Sequence, residues 1–210
     1  MGGRFITFEG GEGTGKSTHV AMLGDRLRAF GIRAVLTREP GGSPGAEIMR
    51  YVLLSGAARP LGANAEAVLF AAARDDHLNT LIRPALAQGR WVVCDRFADS
   101  TRAYQGAAGG TDPGLIAALE TYILEDTRPD LTLVFDLPVA VGLERAYARA
   151  GAEMRFESKG MAFHERLRDG FRAIAEGEPD RCAVIDATAS MDAVEAAVWN
   201  AVESRLAVHG

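Results

Sequence analysis

Along the chain, short continuous apolar runs alternate with longer segments in which apolar residues recur every three or four places. The first run, Phe5-Ile6-Thr7-Phe8, breaks into glycines and is followed by Val20, Leu23, Leu27 and Phe30 at helical spacing. Ala34-Val35-Leu36-Thr37 is a second run. It ends in a segment over 38–45 with two prolines and three glycines, which can continue neither helix nor strand. Helices fit 46–54 and 64–88, the second with Asn64 as its cap, Glu66 in its first turn, a bend at Pro84 and Gly89 as its stop. Trp91-Val92-Val93-Cys94 is a third run, continuous as in a strand buried on both faces. Beyond it come a short helix over 97–105, a glycine-rich loop to Asp112-Pro113 and a helix to about 125. The runs 131–135 and 183–185 are the last two strands, with helices at 139–150, 161–176 and 191–208. The segment 149–160 is charged and poorly periodic, which predicts a mobile loop between helices.

Strands alternating with helices predict an α/β fold, a five-stranded parallel sheet with helices on both faces. With no repeat, low-complexity tract or linker, residues 1–210 are expected to form one domain. In such a sheet, ligands sit beyond the carboxyl ends of the strands. Charge collects there: Glu9 to Lys16, Arg38-Glu39, Asp95-Arg96, Asp136 and Asp186.

The sharpest of these signals is Gly10-Gly11-Glu12-Gly13-Thr14-Gly15-Lys16-Ser17-Thr18, with Gly10 and Gly15 in the G-x-x-x-x-G-K-[ST] spacing between a strand and a helix. Backbone N–H groups can turn together onto a polyphosphate only where side chains do not obstruct, and the helix that follows aims its own N–H groups at the same anion. The pattern predicts a P-loop NTPase fold in which Lys16 reaches the β- and γ-phosphates and Ser17 contacts Mg²⁺. Kinases of small molecules, GTPase switches and motor or assembly ATPases all share this cradle. No Asn-Lys-x-Asp run occurs to read guanine, which counts against the switch.

Composition narrows the partners. Of 210 residues, 48% are hydrophobic, enough for one well-buried core, and the net charge of −5 gives no bulk footprint for nucleic acid or anionic membrane. Basic residues are therefore expected to act locally, against phosphate. No apolar run is long enough to span a bilayer and the first strand starts almost at once, so a cytoplasmic protein is expected. Cys94 and Cys182 each lie in an apolar run and are read as reduced and buried. His19, His77, His164 and His209 show no ligand or triad spacing and receive no role.

Asp95, closing an apolar strand, stands where a carboxylate holds Mg²⁺ through water, although a helix cap would use the same residue. Arg96 is read as beginning the next helix, so that Arg96, Ser100 and Tyr104 fall at i, i+4 and i+8 on one face, a guanidinium, a hydroxyl and a phenol in one row; a solvated polar face would explain Arg96 but fits Tyr104 less well. Phe70 and Arg74 form another such pair. It suits a base platform with a donor fork, though Phe70 alone suits a core equally. Arg149, Arg155 and Lys159 fall in the charged loop, where a closing lid over about 149–160 would bring arginines to the charge built up in phosphoryl transfer; a solvated loop explains them as well.

Taken together, the chain resembles bacterial thymidylate kinases along nearly its whole length. The resemblance rests on Phe8-Glu9-Gly10-Gly11-Glu12-Gly13-Thr14-Gly15-Lys16-Ser17-Thr18, Thr37-Arg38-Glu39-Pro40-Gly41-Gly42 and Leu69-Phe70-Ala71-Ala72-Ala73-Arg74. It extends through Asp95-Arg96-Phe97, Ala103-Tyr104-Gln105-Gly106, Arg128-Pro129-Asp130-Leu131-Thr132 and Ile185-Asp186-Ala187. The resemblance implies transfer of phosphate from Mg·ATP to dTMP by a homodimer. It further implies that Phe70 stacks on thymine and Arg74 bonds its edge, that Ser100 and Gln105 help read the base, and that Arg38 and Arg96 bind the acceptor phosphate. Tyr104 would crowd the 2′ position and Glu12 would lie near the 3′-hydroxyl. Gly13 stands where some relatives carry a cradle arginine, which leaves Arg149 and Arg155 of the lid, with Lys16 and Arg96, as the catalytic cations; Met154 replaces a frequent lid acid. Another nucleoside monophosphate or deoxynucleoside kinase is the nearest alternative.

Overall fold

The computed structural model describes residues 2–148 and 159–208. Strands β1 (Phe5–Gly10), β2 (Ala34–Arg38), β3 (Trp91–Asp95), β4 (Leu131–Asp136) and β5 (Cys182–Asp186) form one sheet in the order β2-β3-β1-β4-β5, every pair parallel. Burial follows that order. Central β1 is buried at every position, whereas the edge strands β2 and β5 expose Leu36 and Val184. Thr7 on β1 and Thr132 on β4 face each other in this dry sheet and satisfy one another through a 2.8 Å hydroxyl pair.

Helices α1 (Lys16–Ala29) and α9 (Met191–Leu206) bury Leu23, Leu27, Val194, Val198 and Val202 with Ile6, Phe8, Leu133 and Phe135 of the sheet. A second cluster joins Phe5, Val92 and Cys94 to the long helical segment and to α6 (Pro113–Leu124). Helix α8 (Met161–Gly177) closes a third around Val134, Leu167 and Phe171. Helices α2 (Pro44–Leu54) and α7 (Val139–Ala148) complete the outer layers. A strand, a glycine-rich turn and a helix N-terminus at the middle of a five-stranded parallel sheet make this a P-loop NTPase fold.

Two expected helices differ from the sequence reading. The segment 64–88 is α3 (Gly62–His77), a π-helical turn (Leu78–Ile82) and α4 (Arg83–Ala87). Asn64 is not the cap: a 3₁₀ turn (Arg59–Leu61) runs directly into the helix, and Leu61 occupies that position. The irregularity precedes Pro84, because proline offers no N–H to the carbonyl four residues earlier and the ladder widens there.

The second difference concerns Arg96. It does not begin the following helix: it holds φ +70, and helix α5 (Ala98–Thr101) starts two residues later before passing into a π-helical segment (Arg102–Ala107). The cause is tertiary. Buried Glu9 accepts from the Phe97 and Ser100 N–H groups at 2.7 and 3.2 Å, and the Arg96 N–H donates to the Phe8 carbonyl at 2.9 Å. From the other side, Arg181 grips the Asp99 carboxylate at 2.7 and 2.9 Å, and Arg102 adds a bond at 2.9 Å. The start of α5 is thus tied to β1 by hydrogen bonds to Glu9 and to the residue before β5 by the Arg181–Asp99 ion pair.

Candidate active site

After β1 the chain turns through Gly13 (φ +69) and Gly15 (φ +89) into α1. Gly13 admits no side chain: a Cβ there would lie 1.9 Å from the Gly142 carbonyl oxygen on α7. Any side chain placed here would meet the backbone of α7 unless one of the two shifts. Lys16 folds over the loop and donates from Nζ to the Gly10 and Gly11 carbonyls at 3.1 and 2.7 Å and to Thr14 Oγ1 at 3.1 Å. Its three N–H donors thereby meet three oxygens. Burial, reinforced by neighbouring Arg96, lowers its pKa to about 8 against the pull of Asp95, Glu12 and Glu9. At the mouth of the loop, Ser17 Oγ donates to Asp95 Oδ2 at 2.5 Å, which places a hydroxyl and a carboxylate oxygen together.

A cavity of about 310 Å³ opens beside the cradle. The predicted residues Glu12, Gly13, Thr14, Gly15, Lys16, Ser17, Arg38, Phe70, Arg74, Asp95, Arg96, Ser100, Tyr104 and Gln105 all line it, although they come from the loop after β1, the start of α1, β2, α3, β3 and the segment after β3. Gly10, Gly11 and Thr18 lie on the cradle outside this lining. Arg149 and Arg155 lie outside the described residues. Lys159 holds its ammonium 5.5 Å from the Phe163 ring and borders a separate hollow that shares Tyr104 and Gln105.

Arg96 is the hub. Its guanidinium donates to the Gly10 carbonyl at 2.9 Å, to Glu12 Oε1 at 3.1 Å and to Ser100 Oγ at 3.4 Å, and it lies 4.9 Å from the centre of the Tyr104 ring. The row Arg96–Ser100–Tyr104 therefore exists in space, produced by a left-handed residue and a π-helical segment where regular helical register was expected. Tyr104 donates its hydroxyl to Glu12 Oε1. Burial would raise the Glu12 carboxyl, but Arg96, Lys16 and the Tyr104 hydroxyl together hold it below the ordinary carboxylate range. Burial also opposes charge on Arg96, yet its anionic neighbours keep the guanidinium firmly protonated.

Some participants escaped the sequence reading. Arg50 of α2 lines the cavity and donates to the Pro40 carbonyl at 2.7 Å, so Arg38, Arg50 and Arg96 stand around one space. Glu39 also lines it and pairs with Arg74 at 2.8 Å. Glu9, besides its two backbone bonds, accepts from Ser100 Oγ at 2.6 Å; burial and then Asp99 raise its pKa to about 8. Helical spacing from Ala46 to Leu53 could have placed Arg50 on the inner face of α2, but nothing local marks Glu9 as a brace. The cysteines behave as expected: both are buried and free, burial pushes the Cys94 thiol well up and the Cys182 thiol to about 11, and neither lines the cavity.

The family model of thymidylate kinase matches residues 8–198, a span that contains every cavity residue named above. The chain belongs to the thymidylate kinase family. It is 60% identical over 205 residues to a thymidylate kinase of Nitrobacter winogradskyi, covering 97% of this chain and 89% of that one. It is likewise 60% identical over 204 residues to a thymidylate kinase of Caulobacter vibrioides, covering 97% and 98%. Among solved structures, it is similar to the thymidylate kinase of Ehrlichia chaffeensis, with a TM-score of 0.79 and 36% identity across 97% of this chain and 99% of that one. The family's fold and the cavity at the ends of β1, β2 and β3 therefore coincide in this chain.

Proposed function

We propose that this site transfers the γ-phosphoryl group of Mg·ATP to dTMP, giving dTDP and ADP in a cytoplasmic route to dTTP. The observation that carries the reading is the cavity where Arg38, Arg50 and Arg96 surround one space next to the cradle, with Phe70 and Arg74 on its wall. Three guanidiniums suit the phosphate of an acceptor nucleotide, and an aromatic face with a donor fork suits its base. Lys16 would leave its carbonyl partners for the β- and γ-phosphates of ATP. Ser17 and Asp95 supply hard oxygen donors that fit Mg²⁺, with nucleotide phosphates and water completing its shell. The cation, when bound, neutralises charge on the phosphates. The acceptor phosphate is already nucleophilic, so this chain's residues need only position and neutralise, and no general base is required. Glu12 and Tyr104 would face the sugar, near the 3′-hydroxyl and the 2′ carbon, while Ser100 and Gln105 help read the base. The lid arginines Arg149 and Arg155 would add charge that the cradle, closed to a side chain at Gly13, cannot supply.

The test is a panel of nucleoside monophosphates and nucleosides assayed with Mg·ATP. The highest kcat/KM is expected with dTMP, and a higher value for any other acceptor would overturn the assignment. No helix among the described residues is long and apolar enough to cross a membrane.

The working unit proposed is a homodimer. Ile48 and Tyr51 on α2 and Val68 on α3 are 68%, 77% and 45% exposed, an apolar face that a second copy would cover. Sedimentation velocity is expected to give a dimer that Tyr51→Asp weakens or splits; a monomer at tens of micromolar wild-type protein would refute it.

A further inference from the structure

We propose that His77 is a positioning residue for acceptor recognition, holding Glu39 so that Glu39 in turn aims the Arg74 guanidinium at the bound base. The proposal rests on the assignment of the cavity to dTMP. Arg74 is 5% exposed and two of its three nitrogens are committed: Nε donates to Glu39 Oε2 at 2.8 Å, and Nη2 donates to the Phe97 carbonyl and to Thr101 Oγ1, both at 3.1 Å. Nη1 makes no hydrogen bond among the described residues, and Arg74 lines the cavity. A guanidinium only donates, so the nitrogen left over recognises a carbonyl oxygen and disfavours an amino group at the same place. The direction in which it points is set by the bonds on the other two nitrogens.

Glu39 is the adjustable link among those bonds. Its backbone is fixed by an N–H bond to the Asp95 carbonyl at 2.9 Å, but its carboxylate stays put only if both oxygens are held. Oε2 meets Arg74. Oε1 meets His77 Nδ1 at 3.1 Å, and the ring's rotation is fixed at its far side by Thr37 Oγ1, 2.8 Å from Nε2. Thr37, His77, Glu39 and Arg74 thus form one chain from β2 to α3. His77 itself is fully buried and does not line the cavity, so any effect on the acceptor passes through Glu39 and Arg74.

The experiment measures steady-state kinetics with dTMP and with dCMP, which carries an amino group where dTMP has a carbonyl. His77→Leu is expected to raise KM for dTMP roughly tenfold, the worth of a hydrogen bond to a charged group, with kcat and KM for ATP within about twofold. The dTMP-to-dCMP ratio of kcat/KM is expected to fall by about the same factor. His77→Asn, whose amide N–H can replace Nδ1–H, should restore most of both. Thr37→Val keeps the shape at the end of the chain and should lower the ratio in the same direction by less, which decides the matter if the leucine variant does not fold. An unchanged ratio in Thr37→Val, or an asparagine variant as impaired as leucine, would overturn the positioning role. A wild-type enzyme without preference for dTMP would instead overturn the functional assignment, and this inference with it.

Discussion

Arg96→Ala is expected to lower kcat/KM for dTMP on the order of a thousandfold, the largest effect of any single replacement described here. The size follows from what Arg96 touches at once. Its guanidinium reaches the cradle at the Gly10 carbonyl, the carboxylate of Glu12, Ser100 and the face of Tyr104. Removal deletes a cation from the proposed phosphate site and also takes from Glu12 the group that does most to sustain its charge against burial. A carboxylate that has lost its guanidinium partner and keeps only the Tyr104 hydroxyl and the field of Lys16 repels an incoming phosphate. Arg96→Lys should recover only part, because an ammonium keeps the charge but cannot span Gly10 and Glu12 with a planar fork. Kinetics with a circular-dichroism control check this. A loss under tenfold in a folded alanine variant would mean that Arg96 is structural and that Arg38 and Arg50 hold the acceptor phosphate.

The second large effect combines a mutation with a pH dependence. Lys16→Ala should lower kcat by roughly a hundredfold or more, since a preorganised cation at a transferring phosphate is worth that much. The pH profile tests the reason. In the free protein, burial and Arg96 bring the Lys16 pKa down to about 8. Triphosphate binding favours the charged ammonium and so raises that pKa. Affinity for Mg·ATP is therefore flat with respect to Lys16 below about pH 8 and falls above it, approaching tenfold per unit as binding must also take up a proton. Glu9, near 8 as well, gains its negative charge over the same range and acts in the same direction. Lys16→Ala separates the two: the slope that disappears belongs to Lys16 and the slope that persists to Glu9. Equilibrium titration from pH 7 to 10 gives both, and an equal slope in wild type and variant would refute the link to Lys16.

The sequence was informative where chemistry needs particular residues at particular spacing. Gly10 to Thr18 identified the cradle, and the runs before and after it identified the strand, the helix and the parallel sheet. Phe70 remained ambiguous until α3 was placed, since an aromatic at helical spacing serves a core or a ligand equally well. It is half-buried and lines the cavity. Pattern reading failed where backbone regularity gives way to tertiary bonds. Arg96 reads as the first residue of a helix because nothing next to it in sequence forbids that. What forbids it is Glu9, more than eighty residues earlier, taking the Phe97 and Ser100 N–H groups. The histidines show the same limit, for His77 gains its partners only once β2 lies beside the end of α3.

The sequence by itself determined the glycine-rich turn, the order of strands and helices, the burial of both cysteines and many of the residue types that line the cavity, because these depend on local propensity and short spacing. Only the tertiary structure decided which arginines share a space, why Gly13 must be bare, how Arg96 is turned onto Glu12, and which buried groups brace Arg74. Those depend on side chains and backbone brought together across the sheet, where desolvation makes each polar partner count and a single Cβ can meet a carbonyl of another helix.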